Sequence, residues 1–519
     1  MTGLLFYDII KSDAKYTLAY YFLKGTDFMK TLTRILALLL CLSLSIPLFS
    51  CGSTEEETTT NPPSSESKTE ITTEAVTEAT PDVEKKDYGE DFHLLVQPQS
   101  NNIHYYWVEE SDNDALSEAI YARQQQVYDY LGVEITATQA LGHDAYGQPF
   151  MTAVKNKDGS IDTLLSHAYM FLSTFVQGGY LLDLQDVEGI NLDADYWSLD
   201  VMEEVAAGDH LYLGYSDFRL VHTAVITYNK EMLSRYDDAL EESIYDTVKN
   251  YHWTVDKMIS LANLVYVDAT ADGRTEDDTF GITGHQWVSF INFVQASNIQ
   301  LVDMNDQGDY VVSVYNNVNK ERTTALVEKI SALAKSDSAW FKYCEEPTPL
   351  INITSGKTLM SIEYVNSLPQ YLSFDVDFGI IPYPMFDEAQ ADVGYRSLDW
   401  GGWICIPSYT DDLAMVADTL EVLSFYSKDV KITFYEKLLG KQVADAPEDR
   451  EMLDMVWDSI CSDIGLTYSY VNVALDLNLY MLPRVTYEHA TQELASFVAG
   501  YEVTANKTLK KFFASLNKK

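Results

Sequence analysis

The sequence predicts an α/β protein whose mainly parallel sheets are flanked by helices, and three observations carry that prediction. Strand-like and helix-like segments alternate between residues 92 and 166, the pattern of a doubly wound sheet with right-handed crossovers. The chain has 519 residues, too many for one ordinary core, which predicts two or three domains, or one two-lobed body with accessory segments. Hydrophobic residues make up 46% of it, enough to fill them.

The segments follow in chain order. Met29 to Arg34 is short and basic, Ile35 to Leu44 is apolar, and Leu48-Phe49-Ser50-Cys51 is a small-residue site ending in cysteine; together they read as a secretion signal starting at Met29. The apolar stretch is short for a membrane span. Its ending resembles a bacterial lipoprotein signal, which would make Cys51 the lipidated first residue of the mature chain, with residues 1–28 an upstream start. Residues 51–87 are rich in Thr, Glu, Ser and Pro and poor in large apolar side chains, so they cannot offset their ordering entropy and are expected to form a disordered tether. Lipid at one end and a folded body from about residue 88 imply a protein held at the outer face of the cytoplasmic membrane and working away from it.

The body opens with Phe92 to Gln97 as a buried strand. Leu116, Ile120, Val127 and Leu131 then form one helical stripe that stops at Gly132. Val133 to Thr138 alternates as a second strand, and Ile161 to Ser166 follows another helical segment as a third. Ligands of such sheets bind beyond the carboxyl ends of the strands, which points to Ser166, His167 and Tyr169.

Charge and cysteine narrow the function. A net charge of −44 repels phosphate backbones and anionic lipid, which argues against nucleic acid and leaves neutral or cationic solutes. Cys344, Cys405 and Cys461 are widely spaced, and no C-x-x-C occurs, so zinc ribbon and thioredoxin motifs are absent; one disulfide with a free thiol and three buried thiols both stay open.

Several later segments resemble, in order, the extracellular solute-binding proteins of bacterial ABC importers, family 1, the sugar-binding type. They are "YLLDLQDV" at 180–187, "TAVITYNKEML" at 223–233 with its Tyr228-Asn229-Lys230, and "YHWTVDKMISLANLV" at 251–265, in which Thr254 is placed to cap a helix. "SGKTLMSIEYVNSLP" at 355–369, "FGIIPYPMF" and "LDWGGWICIP" continue the series, which spans about residues 90 to 440. The resemblance implies a two-lobed, periplasmic-binding-protein-like chain, each lobe a mainly parallel sheet flanked by helices, that closes on a solute and delivers it to permease subunits. Residues 88–217 with 355–407 would form one lobe and 218–354 with 408–519 the other. No cofactor is implied, and a monomer is expected.

The family pattern also nominates contacts with a sugar, whose apolar faces and polar rim suit aromatic rings beside carboxylates and amides. Beside His167 and Tyr169 these are Trp107 after the first strand, Asp217 and Phe218 at the crossover, and Gln286 and Trp287 after Phe280-Gly281-Ile282. Glu363, Asn366, Asp399, Trp400 and Trp403 complete the set. Glu363 is followed by Tyr364-Val-Asn-Ser where the family usually has Gly and Trp, and Trp403 directly follows Gly402, a departure that could narrow the pocket.

Two other motifs fail on spacing. From Asp268 the acidic stretch "DATADGRTEDDT" has Asp272 and Gly273 in place, but its twelfth position is Thr279, not the bidentate Glu of an EF-hand; it reads as a solvated turn, with Asp268 and Asp272 a weak calcium candidate. "SGKT" at 355–358 lacks the glycine five residues before Gly356 that a phosphate-binding loop requires. The alternatives are a lipid-anchored glycoside hydrolase using two carboxylates across one cleft, and a surface scaffold that binds polysaccharide. The acidic balance also admits a cationic solute.

Overall fold

A computed structural model describes residues 80–98, 102–112, 114–142, 145–236, 240–271, 273–342, 351–439, 447–468 and 494–516. All of them belong to one compact unit, 79–519. Cys51, Asp272 and Cys344 lie outside the described residues, as does most of the expected tether.

In chain order the strands are β1 (Glu90–Val96), β2 (Val133–Gln139), β3 (Thr163–Leu165), β4 (Ala224–Asn229), β5 (Tyr266–Val267), β6 (Thr279–His285), β7 (Val302–Met304), β8 (Tyr310–Val312), β9 (Ala339–Lys342), β10 (Thr358–Tyr364), β11 (Phe378–Ile381), β12 (Ser397–Leu398), β13 (Ile404–Cys405) and β14 (Ile460–Cys461). The helices used below are α1 (Ala115–Leu131), α2 (Gly147–Asn156), α3 (Val255–Ala262), α4 (Gln286–Ala296), α5 (Leu413–Leu439) and α6 (Pro447–Asp458).

The first sheet has the order β13-β3-β1-β2. β1 runs parallel to both β2 and β3, in the register Glu90↔Val133 and Leu94↔Thr163, while β13 is antiparallel to β3. The expected strand, helix, strand order is therefore present, and α1 shows why. Asp114 accepts the Ser117 N–H at its start, Leu116, Ile120, Val127 and Leu131 are buried along one stripe, and Gly132 takes the left-handed conformation that closes it.

The second sheet has the order β11-β4-β10-β6-β5, with β9 also paired to β6. β10 is parallel to β6, and β6 to β9, whereas β4 is antiparallel to β10 and β11. The Tyr-Asn-Lys at the end of β4 has a structural explanation. Asn229 accepts the Met232 N–H and caps the turn of helix that follows, Lys230 reaches Asp449 at 2.5 Å, and Tyr228 is buried. Thr254 caps α3 as expected, accepting from Lys257 N. Gly281 is required where α3 crosses β6, because a Cβ there would lie 1.8 Å from the Ala262 carbonyl oxygen.

The expected lobe boundaries need two corrections. Residues 358–381 fall in the second sheet, since β10 is hydrogen-bonded between β4 and β6 and β11 lies beyond β4. Only β13, of the segment 355–407, joins the first sheet. Helix α5 packs along α1 of the first lobe, although 408–519 was expected in the second. Arg123 fastens the two helices, donating to Ser427 Oγ at 2.9 Å and to the Tyr106 carbonyl at 2.7 Å. A separate apolar core joins the bodies here: Leu116 and Ile120, Val430 and Phe434, Leu453 and Val456, and Val225, Phe378 and Ile380 pack together. The short parallel pair β12 and β14 lies beside the crossover segment 215–223. Among the described residues no helix is long and apolar enough to cross a membrane.

Candidate functional site

The carboxyl end of β3 leads into Ser166, His167, Ala168 and Tyr169, as the topology requires. Trp403 braces this segment: its backbone N–H donates to Ser166 Oγ at 3.1 Å and its indole to the Ala168 carbonyl at 3.1 Å. His167 is turned back on its own loop, its Nδ1 accepting from the backbone N–H of Tyr169 at 3.2 Å and of Met170 at 3.4 Å. The two rings meet edge to face at 4.4 Å.

From Tyr169 the cluster continues toward the second sheet. The Trp400 ring lies 6.5 Å from that of Tyr169, and its indole N–H donates to Asn292 Oδ1 on α4 at 3.3 Å. Tyr364, at the end of β10, meets the His222 ring at 4.8 Å. The Trp400 backbone N–H donates to the His222 carbonyl at 2.9 Å, which joins the two ring pairs, and burial raises the Tyr364 phenol. Rings from the first sheet, the crossover and the second sheet thus converge at one junction, with an amide among them. Tyr169 and Trp400 are 7% and 6% exposed.

Asp399 is nearby but already occupied. Its Oδ2 accepts from Arg219 at 2.9 Å and from the Tyr215 hydroxyl at 2.7 Å, and its Oδ1 from the N–H groups of Gly401 and His222. Burial alone would raise this carboxyl, yet the Arg219 charge and these donors outweigh it and hold the group below its ordinary value. Gly401 has no room for a side chain, since a Cβ would lie 1.6 Å from Arg219 Nη2. Gly401 therefore belongs to the ion pair, and Asp399, nominated as a solute contact, is placed as the buried partner of Arg219.

Other nominated residues are placed elsewhere. Glu363 lies on the face of β10 opposite Tyr364, because strand side chains alternate, and is buried with Ser361 and Tyr371 as its donors. Burial pushes it up to about 7 against the effect of those donors. Phe218 is fully buried, edge to face with Tyr106 at 5.5 Å and with Arg123 4.9 Å above its ring. Asp217 pairs with Lys431 at 2.5 Å and lines a separate cavity of about 290 Å³ with Arg219 and Trp457. Trp107 donates to the Ile135 carbonyl at 2.8 Å, bracing β2, and Gln286 donates to the Phe341 carbonyl at 3.3 Å. The Asn366 carbonyl accepts from the Tyr105 hydroxyl at 3.3 Å. The Trp287 side chain lies outside the described residues.

The acidic stretch is a turn. Asp268 accepts from Ala271 N and Gly273 N, and the buried Asp278 accepts from Ala269 N and Thr275 N. Among the described residues no group of three metal-ligating side chains forms. Cys405 and Cys461 are free and buried, and burial raises both thiols to about 12, so neither is a reactive thiolate.

Tyr364, His222 and Asn292 were not singled out from the sequence. Alternation along β10 sets Tyr364 opposite Glu363 but does not say which face meets the other sheet. For His222 and Asn292 no local signal exists.

No family model matches the chain, and no curated protein matches it either. Solved structures do. The galacto-N-biose/lacto-N-biose I-binding protein of an ABC transporter from Bifidobacterium longum, in complex with lacto-N-biose, is similar with a TM-score of 0.54 and 14% identity, over 82% of this chain and 98% of that one. A protein solved with mannotriose bound is similar with a TM-score of 0.50 and 15% identity, over 82% and 99%. At these identities the likeness is one of fold, and the fold is two-lobed and periplasmic-binding-protein-like.

Proposed function

We propose that this chain is an extracellular solute-binding protein of an ABC importer that closes its two lobes on a sugar or oligosaccharide without chemical turnover. The observation that carries the reading is the convergence of Tyr169, Trp400, Tyr364 and His222 with Asn292 between the two sheets. Flat rings match the apolar C–H faces of a sugar, and an amide and an imidazole match its hydroxyls. Both structural relatives described above were solved with a carbohydrate bound. Two of the nominated carboxylates are held away from the junction, Asp399 by Arg219 and Glu363 on the face of β10 opposite Tyr364. Attachment by lipid at Cys51, a tether over 51–87, permease subunits as partners and a monomeric body complete the proposal.

The test is thermal melting of the purified protein with mono- and oligosaccharides, amino acids, peptides, polyamines and calcium. A sugar at about 100 times its dissociation constant adds roughly 2.7 kcal/mol and raises the melting temperature. A shift with one sugar class, and no product by chromatography, is the expected result; a shift with polyamines alone, or sugar cleavage, overturns it. Trp400→Ala is expected to weaken the binding of that sugar about 10- to 100-fold by titration calorimetry, the loss of one stacked, hydrogen-bonded ring.

A further inference from the structure

We infer that His167 is a positioning residue: its neutral imidazole, protonated on Nε2, holds the loop that presents Tyr169, and protonation of Nδ1 in acid releases that loop and the solute. The tautomer follows from hydrogen bonding. Nδ1 accepts two backbone N–H groups, from Tyr169 and Met170, so it carries a lone pair and the ring proton resides on Nε2. A second proton could enter only at Nδ1, where it would face two N–H donors, one of them buried, and end both hydrogen bonds. Trp403 holds Ser166 and Ala168 from one side, and the Tyr146 hydroxyl from the other, donating at 2.5 Å to the Met170 carbonyl and lying 3.3 Å from His167 N.

The consequence passes along the junction. His167 sets the Tyr169 ring, Tyr169 meets Trp400, and Trp400 donates to Asn292 on the second lobe. Among the described residues the titratable groups at His167 are the phenols of Tyr146 and Tyr169, and burial raises that of Tyr364 at the end of β10. All three are uncharged while an imidazole titrates. The effect on affinity rests on the sugar-binding reading, whereas the tautomer and the loop do not.

The test separates the two. Long-range nitrogen–proton NMR of the full chain is expected to show His167 with its proton on Nε2 at about pH 8. Protection of the Tyr169 and Met170 amides against hydrogen exchange is expected to fall about tenfold, relative to amides elsewhere in the fold, between about pH 8 and pH 5, the net contribution of one hydrogen bond. In His167→Asn the side-chain oxygen can still accept from residues two and three further on, as in an Asx turn, but does not titrate. Its two amides are expected to stay protected across that range, and its affinity for mannotriose or lacto-N-biose to lose the acid-dependent fall seen in the wild type. A proton on Nδ1 at pH 8, or protection that changes with pH equally in both proteins, overturns the inference. If neither sugar binds at any pH while the amides behave as expected, the carbohydrate reading fails and the role of His167 stands.

Discussion

At the scale of single residues, the buried ion pair is the feature whose loss is most costly. Arg219 and Asp399 are both enclosed, and among the described residues Nε and Nη2 of Arg219 have no hydrogen-bond partner. Removing the carboxylate would strand the guanidinium, so Asp399→Ala is expected to cost about 3–5 kcal/mol of unfolding free energy by urea titration. A loss below about 1 kcal/mol would show that the pair is open to water. Glu363 makes the opposite case, because burial holds it near 7 while its ordinary value is 4.5. The native state keeps this proton where the unfolded chain has released it. Its contribution to stability is therefore full below about pH 4.5 and is lost as pH rises through about 7. Glu363→Gln removes that slope and is expected to stabilise the protein at pH 8 by on the order of 3 kcal/mol, with little change at pH 4. Parallel pH profiles for the two proteins would refute the assignment.

At the scale of elements, local pattern and final placement part company. The stripe and closing glycine of α1 were legible because they are local: a 3.6-residue period and a left-handed terminus need no neighbours to be recognised. Asp114 shows how much the start of that helix contributes. It accepts from Ser117 N and lies 2.6 Å from Lys437 of α5, and the ion pair is exposed enough to add little. Asp114→Ala is thus expected to cost about 1 kcal/mol, the contribution of the cap, and to leave the midpoint in high salt shifted by the same amount. Alternation likewise separates Glu363 from Tyr364 along β10, yet only pairing with β4 and β6 decides which of them meets the first sheet. The lobe boundaries that the family resemblance implies separate β10 from β4 and β6, and α5 from α1, whereas the structure pairs them, because hydrogen-bonded neighbours and helix contacts are made across distances that sequence order does not record.

At the scale of the whole molecule, the fold is two-lobed and periplasmic-binding-protein-like, and the chain ahead of residue 80 is where the proposal of surface attachment rests. If Cys51 carries the lipid, Cys51→Ala should move the protein from the membrane fraction into the medium or the soluble fraction while the sugar-induced melting shift is unchanged. Retention of the variant at the membrane would assign anchoring to the apolar stretch from Ile35 to Leu44 instead. The net charge of −44 keeps such a body off anionic surfaces except at its tether.

The sequence by itself determined the class of the fold, the order of the first strands and helix and the cap at Thr254, and it nominated two of the rings that meet at the junction, Tyr169 and Trp400. Each of these is written in a local period, a turn residue or an ordered series of short motifs. Only the tertiary structure decided that Asp399 serves Arg219, that Glu363 faces away, and that Tyr364, His222 and Asn292 join the junction. Those outcomes depend on which faces of two sheets are brought together and on the satisfaction of buried charge. Both are set by contacts between residues far apart in the chain, and neither leaves a periodic trace in it.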